Sequence, residues 1–308
     1  MSSAFVLQLH FTEPAAYAEI YNSPHRMRKE PDFYENGLVF AGLPSNIFHV
    51  SNPRAHSAIK SLFSSYFTKK TVLKLEAVVQ ERVDKLISQL LKNHKTSPVD
   101  MNHAYHSVSL DVISLYALRT SVDATSFPSF KHPAVVSVEE TIGAIWVMRH
   151  FQRLRRISIM LPRWLTLYLM PAVKPQLQIR DEIERLVDIA MADSENHDGE
   201  ADRDDLNVFY TILRNARVDG RLKNSSWVTR DQMIAEAMGF RVAGSDTIGN
   251  TCTVATWYLI RDDDIRGKLV KELTTAWPDK EKTMPLELLE KLPYLVRLFI
   301  TVHGTKLI

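Results

Sequence analysis

The sequence predicts a single, mostly α-helical domain with one unusually long central helix and one strand near the N-terminus. From Arg54 onward, apolar residues recur at spacings of three and four, which aligns them on one face of a helix. Residues 229–260 keep this helical character without a break, with Thr229 as the expected N-cap, and a helix of that length spans roughly 48 Å at about 1.5 Å per residue. Its sides are apolar nearly all round between Met233 and Ile260, so the helix is expected to be buried through its middle. The 308 residues are enough for one large domain or two small ones.

The strand is predicted at residues 4–12, where apolar side chains partly alternate with polar ones. A short helix follows at 14–21, where Pro14 is tolerated in the first turn, and then a loop rich in Pro, Gly and Asn at 23–51. An apolar strand with no convincing partner is a liability, so part of the fold is expected to lie outside this chain. The predicted helices are 54–67, 71–92, 101–118, 133–150, 158–170, 176–192, 204–216, 229–260, 262–277 and 285–302, with loops at 193–205 and 217–226.

Composition and charge narrow the class of protein. The net charge is +2, with 38 basic and 36 acidic residues, so no global bias indicates a nucleic-acid partner. The single cysteine, Cys252, excludes a disulfide within the chain and a multi-cysteine zinc site, and it is consistent with a reducing compartment. No apolar stretch is long enough to predict a membrane span, and no signal peptide is visible at the N-terminus.

The centre of the long helix carries two glycines and an acid beside a hydroxyl residue, which are locally unfavourable in a helix. Small residues on one face would let a large flat group approach the backbone, and Asp246 and Thr247 could deliver protons through a hydroxyl and water. The same residues also fit a structural interpretation, with helix packing at Ala243 and Gly244, an ion pair at Asp246 and a back-bonded Thr247. At about 100° per residue, the residues that share this face are Phe240, Ala243, Gly244, Thr247 and Thr251.

The run Ala243-Gly244-Ser245-Asp246-Thr247 resembles the Ala/Gly-Gly-x-Asp/Glu-Thr-Thr signature in the central helix of cytochromes P450. The resemblance implies a haem cofactor with Ala243 and Gly244 beside it. It also implies that Asp246 and Thr247 are catalytic residues that relay protons during oxygen reduction. Ile248 stands where the family often has a second threonine.

A second block, residues 56–68, is similar to the family helix that opens with His and Arg-Arg and ends in a Phe-Ser pair, and its continuation looks most like fungal members. The resemblance implies that His56 and Lys60 lie near the haem propionates. Spacing of four residues places them on one helix face. Lys60 stands where Arg is usual, so any contact is made by a single ammonium group rather than by a bidentate guanidinium. The alternative is two polar residues on a helix surface.

A third block, residues 289–295, looks like the entry to the family's Glu-x-x-Arg helix, but Thr301 and Gly304 occupy the Glu and Arg positions. The loop Phe-x-x-Gly-x-Arg-x-Cys, whose thiolate ligates iron in the family, is not in the sequence. Cys252 lies five residues after Thr247, about 140° around the helix, so it is expected to be a packing residue that faces away from haem. The expected architecture is therefore a cytochrome P450 fold that is incomplete at both ends, without a metal ligand of its own.

The resemblance covers residues 4–295 and implies a monooxygenase of fungal secondary metabolism that inserts one oxygen atom into an apolar small molecule. Electrons would come from an NADPH-dependent reductase, and no nucleic acid would be bound. A full-length relative would lie at the endoplasmic reticulum membrane, whereas this chain, which has no anchor, is expected to be cytosolic or unstable. Without the axial cysteine and the Glu-x-x-Arg pair, the chain is expected to be inactive and to expose apolar patches.

Two alternatives stay open at this point. A class I terpenoid synthase would need clustered carboxylates for magnesium, but an Asp-Asp-x-x-Asp pattern begun at Asp262 or Asp263 meets Arg266 or Gly267. A non-catalytic helical remnant or interaction protein would instead be a stable chain that unfolds cooperatively.

Overall fold

The computed structural model describes residues 11–22, 27–35, 43–93, 97–151, 153, 157, 160–169, 174–196, 208–218, 227–279 and 282–305. Within these ranges the regular structure is helical and no β-strand occurs. Most of the predicted strand at 4–12 lies outside the described residues, and Phe11 and Thr12 have no regular secondary structure. None of the described helices is both long and apolar enough to cross a membrane.

Two 3₁₀ turns, Ser64–Phe67 and Ala124–Ser126, lie between helices in the described part of the chain. In chain order the helices are α1 Pro14–Tyr21, α2 Pro31–Tyr34, α3 Pro53–Phe63, α4 Lys69–Leu73, α5 Glu76–Asn93, α6 Met101–Leu118, α7 Pro133–His150, α8 Arg163–Leu169, α9 Lys174–Asn196, α10 Val208–Val218, α11 Arg230–Arg261, α12 Asp263–Ala276, α13 Leu286–Leu289 and α14 Pro293–Thr305.

Short polar side chains cap the helices that build the centre of the fold. Asn52 accepts hydrogen bonds from the first turn of α3, and Asp100 does the same for α6. Thr229 accepts from the amide of Gln232, which confirms it as the N-cap of the long helix α11. Each cap satisfies backbone donors that have no partner within the helix, so the polar residue fixes where the helix begins.

Two of the predicted helices are divided in the structure. The predicted helix at 71–92 breaks at Lys74 and Leu75. Leu75 packs against the main core, whereas Leu86 joins a second cluster with Phe130. The predicted helix at 285–302 is divided before Pro293, since a proline disfavours helical geometry in the residue that precedes it.

The main core forms where α6 and α11 lie along each other. A Cβ added at Gly244 would lie 2.6 Å from Cγ1 of Ile113, and one added at Gly249 would lie 2.6 Å from Nδ1 of His106. The Ser109 hydroxyl donates to the carbonyl of Ser245 at 2.9 Å. Small residues on α11 therefore allow its backbone to approach α6, which confirms the helix-packing interpretation of Gly244.

Burial along α11 is uneven. Every residue from Gln232 to Met238 is buried, so this N-terminal part is enclosed on all sides. In the C-terminal half one side is open, with Ile248 54 %, Trp257 49 % and Ile260 66 % exposed. The expectation that the helix is buried through its middle is therefore wrong. Enclosure is complete only before the signature, and the signature lies where one side of the helix becomes accessible.

Candidate active site

The open side of α11 begins at the signature. Ala243 and Thr247, which are one turn apart, are both exposed. The Thr247 hydroxyl donates to the Ala243 carbonyl at 2.8 Å, and the Thr251 hydroxyl donates to the Thr247 carbonyl at 2.8 Å. A hydroxyl that donates still has two acceptor lone pairs, so Thr247 can accept a hydrogen bond from a group on the open side. The result is a flat, small-residue surface with a hydroxyl at its centre.

Asp246 lies at the edge between this open side and α6. Its side chain is 29 % exposed, and its Oδ1 accepts a hydrogen bond from Nδ2 of Asn250 at 2.8 Å. The same oxygen lies 3.5 Å from Nε2 of His106 on α6. The contact is an ion pair when His106 carries a proton, and the Asp246 carboxylate still reaches solvent.

His106 is 1 % exposed and was not identified from the sequence. Its Nδ1 lies 2.8 Å from the carbonyl oxygen of Asn102, one turn earlier in α6. Burial alone would lower the pKa of His106, but the hydrogen bonds to Asp246 and Asn102, together with the charges of Asp246 and Glu139, raise it. A lone histidine within an apolar helical pattern gives no signal of such a partner, because the partner lies on another helix.

Aromatic packing holds α3 against α11 directly before the signature. The rings of Phe63 and Phe240 lie 5.0 Å apart, and those of Phe67 and Phe240 are stacked at 5.4 Å with an interplanar angle of 4°. Phe209 of α10 completes the cluster at 5.6 Å from Phe63. Since offset and tilted ring pairs are favourable, this cluster gives α3 a defined position relative to Ala243.

A group of basic side chains lies on α3 and the segment before it. His56 is half-buried and Lys60 is exposed, and the pKa of His56 is lowered by burial first and then by the charges of Lys29 and Lys60. Lys29 donates to the Phe48 carbonyl at 2.8 Å, and burial lowers the pKa of its ammonium group. Lys29 and Lys60 lie close enough to His56 for their charges to lower its pKa. Basic groups clustered in this way can bind an anionic ligand such as a carboxylate. Lys29 was missed because the loop around it has no periodic pattern.

A buried acid fastens the segment before α3 to α11. Glu236 accepts from the amide of Ile47 at 2.9 Å and from Nε2 of Gln232 at 2.7 Å. Asn46 Nδ2 donates to the carbonyl of Ala235 at 3.3 Å. Burial raises the pKa of Glu236 to about 7, although these hydrogen bonds favour the charged form. An acid within the apolar run Met233–Met238 is a sequence signal that could have identified this clamp.

Cys252 lies on the side of α11 that faces the core. Cys252 is half-buried near Tyr105 of α6, and burial raises the pKa of its thiol, so it faces the core as predicted. Among the described residues, no group of three or more His, Cys, Asp or Glu side chains is placed to hold a metal ion.

The aspartates considered for a magnesium site are engaged separately. Asp262 caps α12 by accepting from the amides of Asp264 and Ile265 at 3.0 Å. Asp263 pairs with Arg266 at 2.5 Å, and Asp264 pairs with Lys268 at 2.5 Å. Each of these carboxylates has its own partner in a helix cap or an ion pair, so they do not converge on a magnesium site. This part of the chain therefore gives no support to the terpenoid synthase alternative.

The long capped helix with its open signature face and the basic helix α3 packed before it define a class of helical haem proteins. The family model of cytochrome P450 matches residues 13–299. The chain therefore belongs to the cytochrome P450 family. Haem is the cofactor of that family, and its members are oxidoreductases.

Fungal monooxygenases are among the relatives. The chain is 25 % identical over 288 residues to the cytochrome P450 monooxygenase orf6 of Eupenicillium brefeldianum, covering 94 % of this chain and 55 % of the relative. It is 26 % identical to the monooxygenase macH of Penicillium terrestre, covering 94 % and 54 %. It is 25 % identical to the conidiogenone synthase PchP450 of Penicillium rubens, covering 94 % and 55 %. The chain thus spans about half the length of these curated relatives.

Solved structures share the fold at lower identity. A cytochrome P450 (CYP102L1) matches with a TM-score of 0.63 at 15 % identity, covering 90 % of this chain and 55 % of that one. The cytochrome P450DA heme domain matches with a TM-score of 0.67 at 12 % identity, covering 94 % and 58 %. The cytochrome P450 fold expected from the sequence is therefore confirmed.

Proposed function

We propose that this chain forms the helical part of a haem-dependent monooxygenase on the side of the haem where oxygen binds. The enzyme would insert one oxygen atom into an apolar small molecule. The main observation behind this proposal is that Ala243 and Thr247 are exposed beside Asp246 on the helix that bears the family signature. Haem, when bound, supplies the oxidation chemistry. Electrons come from an NADPH-dependent reductase, and a full-length relative acts at the endoplasmic reticulum membrane.

The residues of the open side divide the work of binding and proton delivery. Ala243 offers a small exposed side chain on this side, so a flat ring system can lie close to the helix there, whereas Gly244 faces α6. Thr247 accepts a hydrogen bond on its free lone pairs and holds a water there. Asp246, which reaches solvent and lies next to Thr247 in the chain, is the group that takes up and returns protons.

The basic group on the other side of the aromatic cluster serves the acidic edge of the cofactor. His56 and Lys60, with Lys29 nearby, would hold the propionates through charge-assisted hydrogen bonds. The chain's only cysteine, Cys252, faces α6 and carries a thiol whose pKa is raised by burial, so it does not serve as the iron ligand. We therefore propose that turnover requires a thiolate other than Cys252.

The substrate class follows from relatives and from the clamped segment. One fungal relative is named for its product, the conidiogenone synthase PchP450 of Penicillium rubens. In this chain, residues 43–50 are held on α11 just before the open side by Glu236 and Asn46. This position supports a role for the segment as one wall of the substrate space, and a small apolar molecule of secondary metabolism as the substrate.

A haem titration tests the binding half of this proposal. The purified chain is titrated with haem in excess imidazole, which supplies an iron ligand, and binding is followed by the Soret absorption. Lys60→Glu should weaken binding by about tenfold, because a charged hydrogen bond is replaced by repulsion. Lys271→Glu on the exposed surface of α12 is the matched control and should leave affinity unchanged. Equal effects of both changes would contradict the assignment of the basic group.

A further inference from the structure

His106 is held in one orientation by contacts on both sides of its ring. Nδ1 lies 2.8 Å from the Asn102 carbonyl oxygen, and Nε2 lies 3.5 Å from Oδ1 of Asp246. Gly249 makes room for the ring, since a Cβ there would lie 2.6 Å from Nδ1. The ring is buried between α6 and α11, so it has little freedom to turn away from either partner.

These contacts determine where the protons of the ring are. A carbonyl oxygen only accepts, so the bond to Asn102 requires a proton on Nδ1. If the ring is neutral, Nε2 then has no proton and faces a carboxylate oxygen. A contact between two hydrogen-bond acceptors is unfavourable. The contact becomes favourable when one proton lies between the two groups, either as imidazolium with carboxylate or as neutral imidazole with carboxylic acid.

The charges around the pair favour retention of that proton. Facing His106 are Asp246 from α11 and Glu139 from α7, and both are acidic. Glu139 is also 3.4 Å from Nε2 of His103, so it is shared between the two histidines. Asn250 donates its amide hydrogen to Oδ1 of Asp246, which orients the carboxylate without exchanging a proton. Among these groups, His106 is the one that both contacts Asp246 and carries a ring nitrogen that can share a proton with it.

We propose that His106 and Asp246 hold one proton between them, and that His106 is the positioning residue that keeps the signature acid at the edge of α6 through this shared proton. This rests on the proposed function only for the claim that Asp246 then passes the proton to the open side. The shared proton itself follows from the geometry of the two helices.

Nuclear magnetic resonance of the purified chain labelled with ¹⁵N-histidine tests the shared proton without haem. The signals of His106 are assigned by their loss in His106→Gln. In the wild-type chain the neutral ring should carry its proton on Nδ1, and its pKa should lie above the ordinary value of 6.5. Asp246→Asn should lower this pKa, and Glu139→Gln should lower it less, because only Asp246 contacts Nε2.

Several results would overturn the proposal. One is a neutral ring protonated on Nε2, and another is a His106 pKa that does not change in a folded Asp246→Asn chain. The wild-type tautomer and pKa need only the assignment from His106→Gln, so they decide the matter even if Asp246→Asn fails to fold. Failure of the chain to bind haem would count against the proposed function alone, because no part of this measurement depends on the cofactor.

Discussion

At the scale of single residues, Gly249 shows how a missing side chain fixes the distance between two helices. A Cβ at this position would lie 2.6 Å from the buried ring of His106, which has contacts on both sides. Gly249→Ala should therefore lower the free energy of unfolding by about 1–3 kcal/mol, as measured by urea denaturation.

The matched control for this change is Gly267→Ala on α12, where a Cβ would meet nothing within 4 Å. At such an exposed helical position alanine should raise stability by about 0.5–1 kcal/mol, because it loses less conformational freedom on folding. If both changes shifted stability by the same amount in the same direction, the close approach of α11 to His106 would be contradicted.

Glu236 predicts a pH dependence of stability. Burial raises its folded-state pKa to about 7 from the ordinary 4.5. The folded chain therefore binds more protons than the unfolded chain between about pH 5 and pH 7. The stability that comes from this proton is present at low pH and is lost as the pH rises through about 7, by roughly 3 kcal/mol.

The measurement is urea denaturation from about pH 5 to pH 8 for the wild-type chain and Glu236→Gln. The glutamine cannot titrate, so the variant should lack this part of the pH dependence while other groups contribute equally to both chains. Identical pH profiles for the two chains would show that the clamp on residues 43–50 is not a buried ionisable group.

At the scale of elements, α9 and α11 are joined by a buried cation. Arg241 is 3 % exposed, and its Nη1 lies 3.3 Å from Oε2 of Glu182 on α9. Burial lowers the pKa of Arg241, and the charges of Glu182 and Asp111 oppose that effect. Glu182→Gln should cost about 2–3 kcal/mol in a denaturation experiment, because a buried guanidinium loses its counter-charge.

Arg230 and Asp188 provide the comparison, since their side chains are 41 % and 51 % exposed and 2.6 Å apart. Asp188→Asn should cost at most about 1 kcal/mol, because solvent screens exposed pairs. If the two substitutions had equal effects, the Arg241 contact would not be a significant tie between α9 and α11.

The elements also show what sequence patterns can and cannot predict. The bounds of α6 and α7 agree with the predicted 101–118 and 133–150, and Thr229 caps α11 as expected. Periodicity and caps are local properties, so a single segment reveals them. The break at Lys74 is marked by no Pro or Gly, so the local pattern does not reveal it, and it lies between Leu75 in one cluster and Leu86 in another.

The same division holds for the site. Asp246 and Thr247 carry a short signature that can be read along one helix. His106, Glu236 and Lys29 gain their importance from partners on other segments, at separations of up to 189 residues for Glu236 and Ile47. Of these, only Glu236 left a visible trace, as an acid in an apolar run. Tertiary partners of this kind cannot be deduced from one sequence.

At the scale of the whole molecule, the fold encloses the first part of α11 and leaves its signature face and C-terminal half open. Three large apolar side chains are about half exposed or more: Trp257 (49 %) and Ile260 (66 %) on α11, and Ile300 (67 %) on α14. These large apolar side chains stay exposed although their helices pack against each other. The open side of α11 is the part of this surface that bears the family signature.

The most direct measurement is haem binding by a chain whose open side has been blocked. Ala243→Trp places a large ring on the exposed surface where the proposal puts the cofactor, and Ala276→Trp places the same ring on the exposed end of α12. Both chains are titrated with haem in excess imidazole. Loss of Soret binding in Ala243→Trp with unchanged binding in Ala276→Trp is the predicted result. Equal haem binding by both variants and the wild-type chain would contradict the assignment of this face.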